Sequence, residues 1–142
     1  MNSSSRRIRL GVIEPWGGAA NVSLSCARSA NASAQASQSS STEACKSATA
    51  TTFADGLAVR KPVPDAFAIY GAAAARIVSV SEDEIAQAMR VYYTDTHNPA
   101  EGAGAAALAA LIQEREAMEG RRVGVILSGG NVDRSVYAKV IE

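Results

Sequence analysis

Residues 123–131 read Val123-Gly124-Val125-Ile126-Leu127-Ser128-Gly129-Gly130-Asn131. The run begins as an uninterrupted aliphatic stretch, which predicts a strand buried on both faces of a sheet. We expect the strand to end at Ser128, where two glycines permit either a tight turn or a close approach of the backbone to a ligand. Ligands of open α/β sheets bind beyond the carboxyl ends of strands, so a hydroxyl here suits a heteroaromatic or phosphate-bearing molecule. A buried strand that runs into an ordinary turn is the alternative.

The residues before this stretch predict alternating helices and strands. A helix is expected over residues 64–75, with Pro64 in its first turn, and a short strand over residues 77–80. Ser81 and Glu84 have the spacing of a capping box, so a second helix should begin there with one apolar face. This alternation is typical of an α/β fold.

A third helix is predicted after Glu101, where the chain continues with very small side chains and is expected to end at Gly120. Small side chains let a helix pack closely against its neighbours. An acid in the first turn of a helix is stabilised by the helix dipole, which requires no ligand. Gly56 follows an aspartate in a turn pattern, and composition alone favours an ordinary turn there as much as a ligand contact.

Length and composition exclude several classes of protein. The chain has 142 residues, a formal net charge of zero and no basic block, so neither a multidomain protein nor a nucleic-acid partner is indicated. No apolar run approaches the roughly 18–20 residues that span a bilayer, and the polar amino terminus is not a secretory signal. Cys26 and Cys45 lack metal-ligand spacing. We therefore expect a cytoplasmic protein without a membrane partner, in which His97, the single histidine, has a structural or surface role.

Three motifs, in order along the chain, resemble the threonine/serine dehydratases. These are pyridoxal-phosphate enzymes of the tryptophan-synthase-β type (fold type II), and serine racemase is related to them. The motifs are TFADGLAVR at residues 52–60, THNPAEGAGA at 96–105 and ILSGGNVD at 126–133, while GVIEP at 11–15 resembles a strand just after the family's phosphate loop. The resemblance implies an α/β fold, a three-layer αβα sheet fragment of that family's large domain.

The resemblance also divides the chain. Residues 1–15 would be a strand of the large pyridoxal-phosphate domain, and residues 52–142 its C-terminal part. Residues 16–51 are rich in Ser and Ala, and residues 29–50 contain no large aliphatic or aromatic side chain, which predicts a degenerate or disordered segment. The family places a helix and a short strand in this segment, and Val22 and Leu24 would begin that helix.

The implied activity is that of an L-threonine/L-serine ammonia-lyase of amino-acid metabolism. Such enzymes remove the α-proton and the β-hydroxyl of a small amino acid, giving a 2-oxo acid and ammonia, with pyridoxal phosphate as the electron sink. By resemblance, Ser128 faces the pyridine nitrogen, and Gly129, Gly56 and Glu101 complete the cofactor-binding residues. A serine hydroxyl does not enforce a protonated ring, which favours elimination over transamination.

Other parts of the family's active site have no counterpart in the sequence. Lys46, Lys61 and Lys139 are the lysines, and none lies in the family's Schiff-base motif. A glycine-rich phosphate loop is also missing, so we assign no catalytic residue and expect a truncated part that is inactive alone. Glu14 resembles an acid that helps bind a divalent cation in serine racemase-like members, but the second acid is absent and no metal is expected.

A noncatalytic role is the alternative. The chain would then be a binding or assembly module that pairs with a separate N-terminal half or with an intact paralogue. The resemblance leaves both a homo-oligomer and such a complementing half open as partners.

Overall fold

The computed structural model describes residues 7–13, 20–28, 51–60 and 63–142, with side chains in 51–60, 63–69 and 77–142. The described elements are, in chain order, β1 (Arg7–Ile13), β2 (Ala20–Arg28), a 3-10 turn (Asp55–Leu57), α1 (Pro64–Ala73), β3 (Ala74–Ser81), α2 (Glu82–Thr96), α3 (Gly102–Gln113), β4 (Val123–Gly124) and α4 (Arg134–Ile141). From α1 onward helices are interspersed with strands, with α3 following α2 directly, and the predicted α/β class is confirmed.

The four described strands form one sheet in the order β3-β1-β2-β4. β1 lies in the interior of the sheet and runs antiparallel to both β2 and β3. β4 is parallel to β2 and occupies one edge, where Val123 pairs with Ala20. Two elements that are distant in sequence are thereby joined at the start of residues 123–131.

β2 differs from the helix that the resemblance places in this part of the chain. Val22 and Leu24 alternate with polar residues, and a period of two suits a strand better than a helix. Ala20–Arg28 accordingly pairs with β1 over most of its length. The remainder of the predicted degenerate segment, except Thr51, lies outside the described residues, as do Glu14 and Lys46.

The expectation of a strand buried on both faces over residues 123–127 is wrong. β4 contains only Val123–Gly124, and the side chains of Ile126 and Leu127 are 67% and 37% exposed. The physical reason is the position of β4 at the edge of the sheet, because among the described strands it pairs with β2 alone. Residues 123–127 have the aliphatic composition of an interior strand, but the side chains of Ile126 and Leu127 are exposed as in an edge strand.

The capping box predicted for α2 is confirmed. The amide of Glu84 donates to Ser81 Oγ over 3.2 Å, and the Glu84 carboxylate accepts from the Ser81 backbone amide. The other oxygen of that carboxylate accepts from Gln113 Nε2, which also donates to the carbonyl of Ser79 over 3.0 Å. Hydrogen bonds therefore join the beginning of α2, the end of α3 and strand β3.

The hydrophobic core lies where α3 packs against the sheet and against α2. Its largest fully buried side chains are Ile85, Met89 and Val80, and α3 contributes a run of buried alanines. Because alanine and glycine fill the face of α3, the helix approaches its neighbours closely, as its composition predicts. α3 ends at Gln113, before the expected position, and Gly120 instead lies at the end of a turn region with φ of 73°.

α4 packs against α2 through an aromatic contact. The rings of Tyr93 and Tyr137 meet edge to face, with centroids 6.0 Å apart. The Tyr137 hydroxyl is buried and has no hydrogen-bond partner among the described residues. Burial raises the pKa of the Tyr137 phenol above its ordinary value of 10.0, and the phenolate of Tyr93 raises it further.

This raised pKa predicts a loss of stability in alkali. Below pH 10.0 the Tyr137 phenol is neutral in both the folded and the unfolded chain, so its contribution to stability is complete. As the pH rises above 10.0 towards the folded-state pKa, the unfolded chain ionises while the folded phenol stays neutral, so stability falls. Tyr137→Phe should flatten the fall in unfolding free energy above about pH 10, measured by urea denaturation.

Tyr93→Phe is the matched variant for this measurement. It keeps the ring but removes only the second cause of the raised pKa, so it should flatten the fall by a smaller amount. Equal slopes for the parent chain and Tyr137→Phe would show that the buried phenol does not control alkaline stability.

Candidate functional site

Three of the sequence-predicted site residues meet beside the first turn of α3. A Cβ added to Gly129 would lie 2.5 Å from Glu101 Oε1 and 2.8 Å from Glu101 Cδ. A Cβ added to Gly56 would lie 3.8 Å from the same oxygen and 2.9 Å from the Cβ of Ala103. The Glu101 carboxylate therefore lies close to the backbone of two turns that are more than 70 residues apart in sequence.

Ser128 immediately precedes Gly129, and its side chain is exposed. No regular helix or strand includes residues 125–133. Ser128 is therefore presented on irregular backbone next to Gly129, the residue that lies against the Glu101 carboxylate. Its exposed hydroxyl is available to a ligand as donor or acceptor.

Glu101 is the N-cap residue of α3, but its side chain makes no capping hydrogen bond. Its backbone amide instead donates to the carbonyl of Gly129 over 3.1 Å. Its half-buried carboxylate accepts no hydrogen bond from the described residues. The side chain therefore retains acceptor capacity next to Ser128 and Gly129.

Close backbone contacts hold the turn after β4 against α3. A Cβ on Gly104 would meet the carbonyl oxygen of Gly129 and would lie 3.0 Å from its nitrogen. A Cβ on Gly130 would lie 2.6 Å from the carbonyl oxygen of Pro99. Since these neighbours are backbone atoms, they cannot rotate away as a side chain can.

The 3-10 turn that carries Gly56 is fixed to the same helix. The amide of Ala54 donates to Thr52 Oγ1 over 3.0 Å, and Ala54 is fully buried. A Cβ on Gly102 would lie 2.8 Å from Phe53 Cε2 and 2.9 Å from the Ala54 Cβ. Both turns of the site are thus packed on one buried helix end, and this gives them a fixed relative position.

Gly104 and Gly130 are site residues that sequence reasoning did not assign. The small side chains at the start of α3 predicted a close approach, but the sequence does not reveal the partner. That partner is the backbone of Gly129, brought to α3 by the pairing of β4 with β2.

A cavity of about 370 Å³ lies elsewhere, at the carboxyl end of α3 and the beginning of α2. Its lining side chains include Glu84, Gln113 and Arg115. α3 has 12 residues, so this cavity is roughly 18 Å from Glu101 along the helix axis and is separate from the site.

Metal-binding clusters and membrane-spanning helices are two further features that bear on function. The described part of the chain holds no group of three His, Cys, Asp or Glu side chains placed to bind a metal. Among the described helices, none combines the length and apolar character that crossing a bilayer requires.

His97 is an exposed C-cap residue of α2 with φ of 56°, in keeping with its expected surface role.

The contact between Gly129 and Glu101 predicts a side-chain-dependent effect. Gly129→Ala should lower the unfolding free energy by about 1 kcal/mol, because the added methyl must displace the Glu101 carboxylate. In the Glu101→Ala background the same substitution should cost much less, since its obstacle is gone. Urea denaturation of the four chains gives the coupling free energy.

Gly130→Ala is the control, because its obstacle is the backbone carbonyl of Pro99. Its cost should be the same with Glu101 or with alanine at position 101. A Gly129→Ala cost that is equally indifferent to position 101 would contradict the observed contact.

Comparison with known proteins identifies the family. The pyridoxal-phosphate dependent enzyme family matches residues 10–129. L-threonine ammonia-lyase from Thermotoga maritima is 36% identical over 90 residues, which are 63% of this chain and 22% of that protein. The Geobacter sulfurreducens L-threonine ammonia-lyase is 40% identical over 91 residues, covering 64% of this chain and 23% of the relative.

A solved structure agrees with these relatives. The crystal structure of a T.th. threonine deaminase superposes with a TM-score of 0.56 and 32% identity, covering 63% of this chain and 32% of that one. The chain thus spans less than a quarter of the length of the two curated relatives. The family match extends over most of the sequence, so the chain belongs to the pyridoxal-phosphate-dependent enzymes.

Proposed function

We propose that this chain forms the ring-binding part of a pyridoxal-phosphate-dependent L-threonine/L-serine ammonia-lyase. The observation that supports this most is the meeting of Gly56, Glu101 and Gly129 beside the exposed Ser128. These residues come from three separate motifs. A ligand at this point would contact all three motifs at once.

The residues present fit the ring end of the cofactor. Because Gly56 and Gly129 have no Cβ, the Ala103 methyl and the Glu101 carboxylate can approach their backbone closely, which brings the three motifs together at one point. Ser128 offers a neutral hydroxyl, which can donate to or accept from a pyridine nitrogen. We assign Ser128 to the ring nitrogen, Gly129 and Gly56 to the ring surroundings, and Glu101 to its edge.

When bound, pyridoxal phosphate supplies an electron sink for charge that develops on the α-carbon of an amino acid. The residues of this chain would then bind and orient. Ser128 would hold a proton between its Oγ and the ring nitrogen without adding a charge. This favours β-elimination over reactions that need a protonated ring.

The remaining parts of the active site are assigned to the portion of the fold that this sequence does not match. Lys139 is an exposed residue of α4, and Lys46 and Lys61 lie outside the described residues. We therefore propose that residues 52–142 are the C-terminal part of a catalytic domain. The Schiff-base lysine, the phosphate loop and the amino-acid carboxylate site would come from elsewhere in that domain, and the chain alone would be inactive.

Binding to the isolated chain tests the ring site. Pyridoxine 5′-phosphate is a suitable probe, because it has the ring and phosphate but no aldehyde that could react with lysines. In ¹⁵N NMR titrations the amide signals of Gly56, Glu101, Ser128 and Gly129 should shift together. Ser128→Ala should weaken binding by the value of one hydrogen bond, about 0.5–1.5 kcal/mol.

Ser135→Ala is the matched control, since Ser135 is an exposed serine of α4. A titration with inorganic phosphate separates ring binding from phosphate binding. Shifts that occur equally with phosphate, or an unchanged affinity in Ser128→Ala, would remove the support for a ring site.

A noncatalytic assembly module is the second candidate. Its support is the exposure of Ile126 and Leu127, which continue an edge strand with the composition of an interior one. An exposed strand edge with apolar side chains is a ready site for pairing with another chain. The partner would be the remaining part of a catalytic domain, supplied as a separate polypeptide or by an intact paralogue.

Association can be measured with the portion of the Thermotoga maritima enzyme that this chain does not match. Ile126→Lys should weaken a complex detected by sedimentation velocity, because a charge would be buried at the new interface. Ile141→Lys changes a partly exposed isoleucine of α4 and should leave the complex intact. Absence of any complex, or equal loss with both variants, would reject this role for the strand edge.

A further inference from the structure

We infer that Gly104 is a positioning residue of the ring-binding turn (residues 128–130), acting on Ser128 through the backbone of Gly129. This inference rests on the proposed function, which supplies the ligand that the turn would bind. Gly104 belongs to α3 and has no side chain to offer a ligand. Its effect would come from the close approach that the missing Cβ permits.

The first support is the chemical nature of the obstacle. A Cβ on Gly104 would meet the Gly129 carbonyl oxygen and would lie 3.0 Å and 3.2 Å from the nitrogen and carbonyl carbon of that residue. All three are backbone atoms of the residue next to Ser128. An added methyl group must therefore move the backbone of the turn or that of the helix.

The second support is the difference in packing between the two elements. Gly104 and its neighbours on α3 are buried, and several alanines of α3 belong to the core cluster. The turn is exposed at Ser128 and Gly130 and lies outside regular structure. The turn is thus the element that moves, and Ser128 moves with it.

The third support is the hydrogen bond that fixes the same carbonyl. The amide of Glu101 donates to Gly129 O over 3.1 Å, one turn before Gly104 on the same helix. A displacement of Gly129 would lengthen this bond and change the distance between Ser128 and the Glu101 carboxylate. One methyl group at position 104 would therefore alter both polar groups of the ring site.

Helix propensity and the contact with Gly129 predict different effects of Gly104→Ala, so an experiment can distinguish them. Alanine is favoured over glycine inside a helix, so a purely helical role predicts that Gly104→Ala stabilises the chain. The contact with Gly129 predicts a displaced turn. These outcomes can be distinguished without an enzyme assay.

The experiment measures the turn first and the ligand second, on the full chain. In Gly104→Ala, the Glu101 amide should exchange with solvent faster and the Ser128 and Gly129 signals should shift. Pyridoxine 5′-phosphate should then bind about tenfold more weakly, as expected when one hydrogen bond is lost. Gly120→Ala is the control, because a Cβ there has nothing within 4 Å and should change stability without changing the turn or the affinity.

Each outcome supports or rejects the inference. An undisturbed turn in Gly104→Ala, or a displaced turn with unchanged affinity, overturns it. If the parent chain binds no probe but the turn is displaced, the ring site fails while the mechanical link between Gly104 and Gly129 stands. If Gly104→Ala does not fold, hydrogen exchange of the parent decides: the Glu101 amide should open together with the amides of α3, and independent opening rejects the link.

Discussion

The contact between the first turn of α3 and the backbone of Gly129 is the constraint on which this site depends. It combines a hydrogen bond from the Glu101 amide with an approach that only glycine at position 104 permits. A polar turn at the edge of a sheet would otherwise be loosely held. Here a helix that is buried in the core determines the position of the turn. Local backbone contacts therefore fix where Ser128 lies relative to Glu101.

Much of the local structure follows directly from the sequence. The capping box at Ser81 and Glu84 is a pattern of adjacent residues whose hydrogen bonds need no distant partner, and it forms as predicted. The apolar face of α2 is likewise periodic within one element. The meeting of Gly56, Glu101 and Gly129 agrees with three motifs that resemble one family, although neither spacing nor composition could determine their distances.

What the sequence could not determine depends on neighbours. The aliphatic residues that end at Ser128 predict an interior strand, because composition reports what a strand can tolerate and not whether another strand lies beside it. Ile126 and Leu127 are exposed since β4 occupies an edge. The partner of Gly104 could not be predicted for a related reason. A glycine in a helix indicates a close approach but does not identify the atom that approaches.

Gln113 gives the fold a further property. Its amide joins the carbonyl of Ser79 to the Glu84 carboxylate, and that carboxylate is also half of the capping box. The end of one helix, the beginning of another and a strand thus share a single acceptor group. Fraying at the start of α2 would leave the Gln113 amide without an acceptor, and fraying at the end of α3 would remove a donor from Glu84 and Ser79. These termini therefore belong to one cooperative opening unit rather than to independent flexible ends.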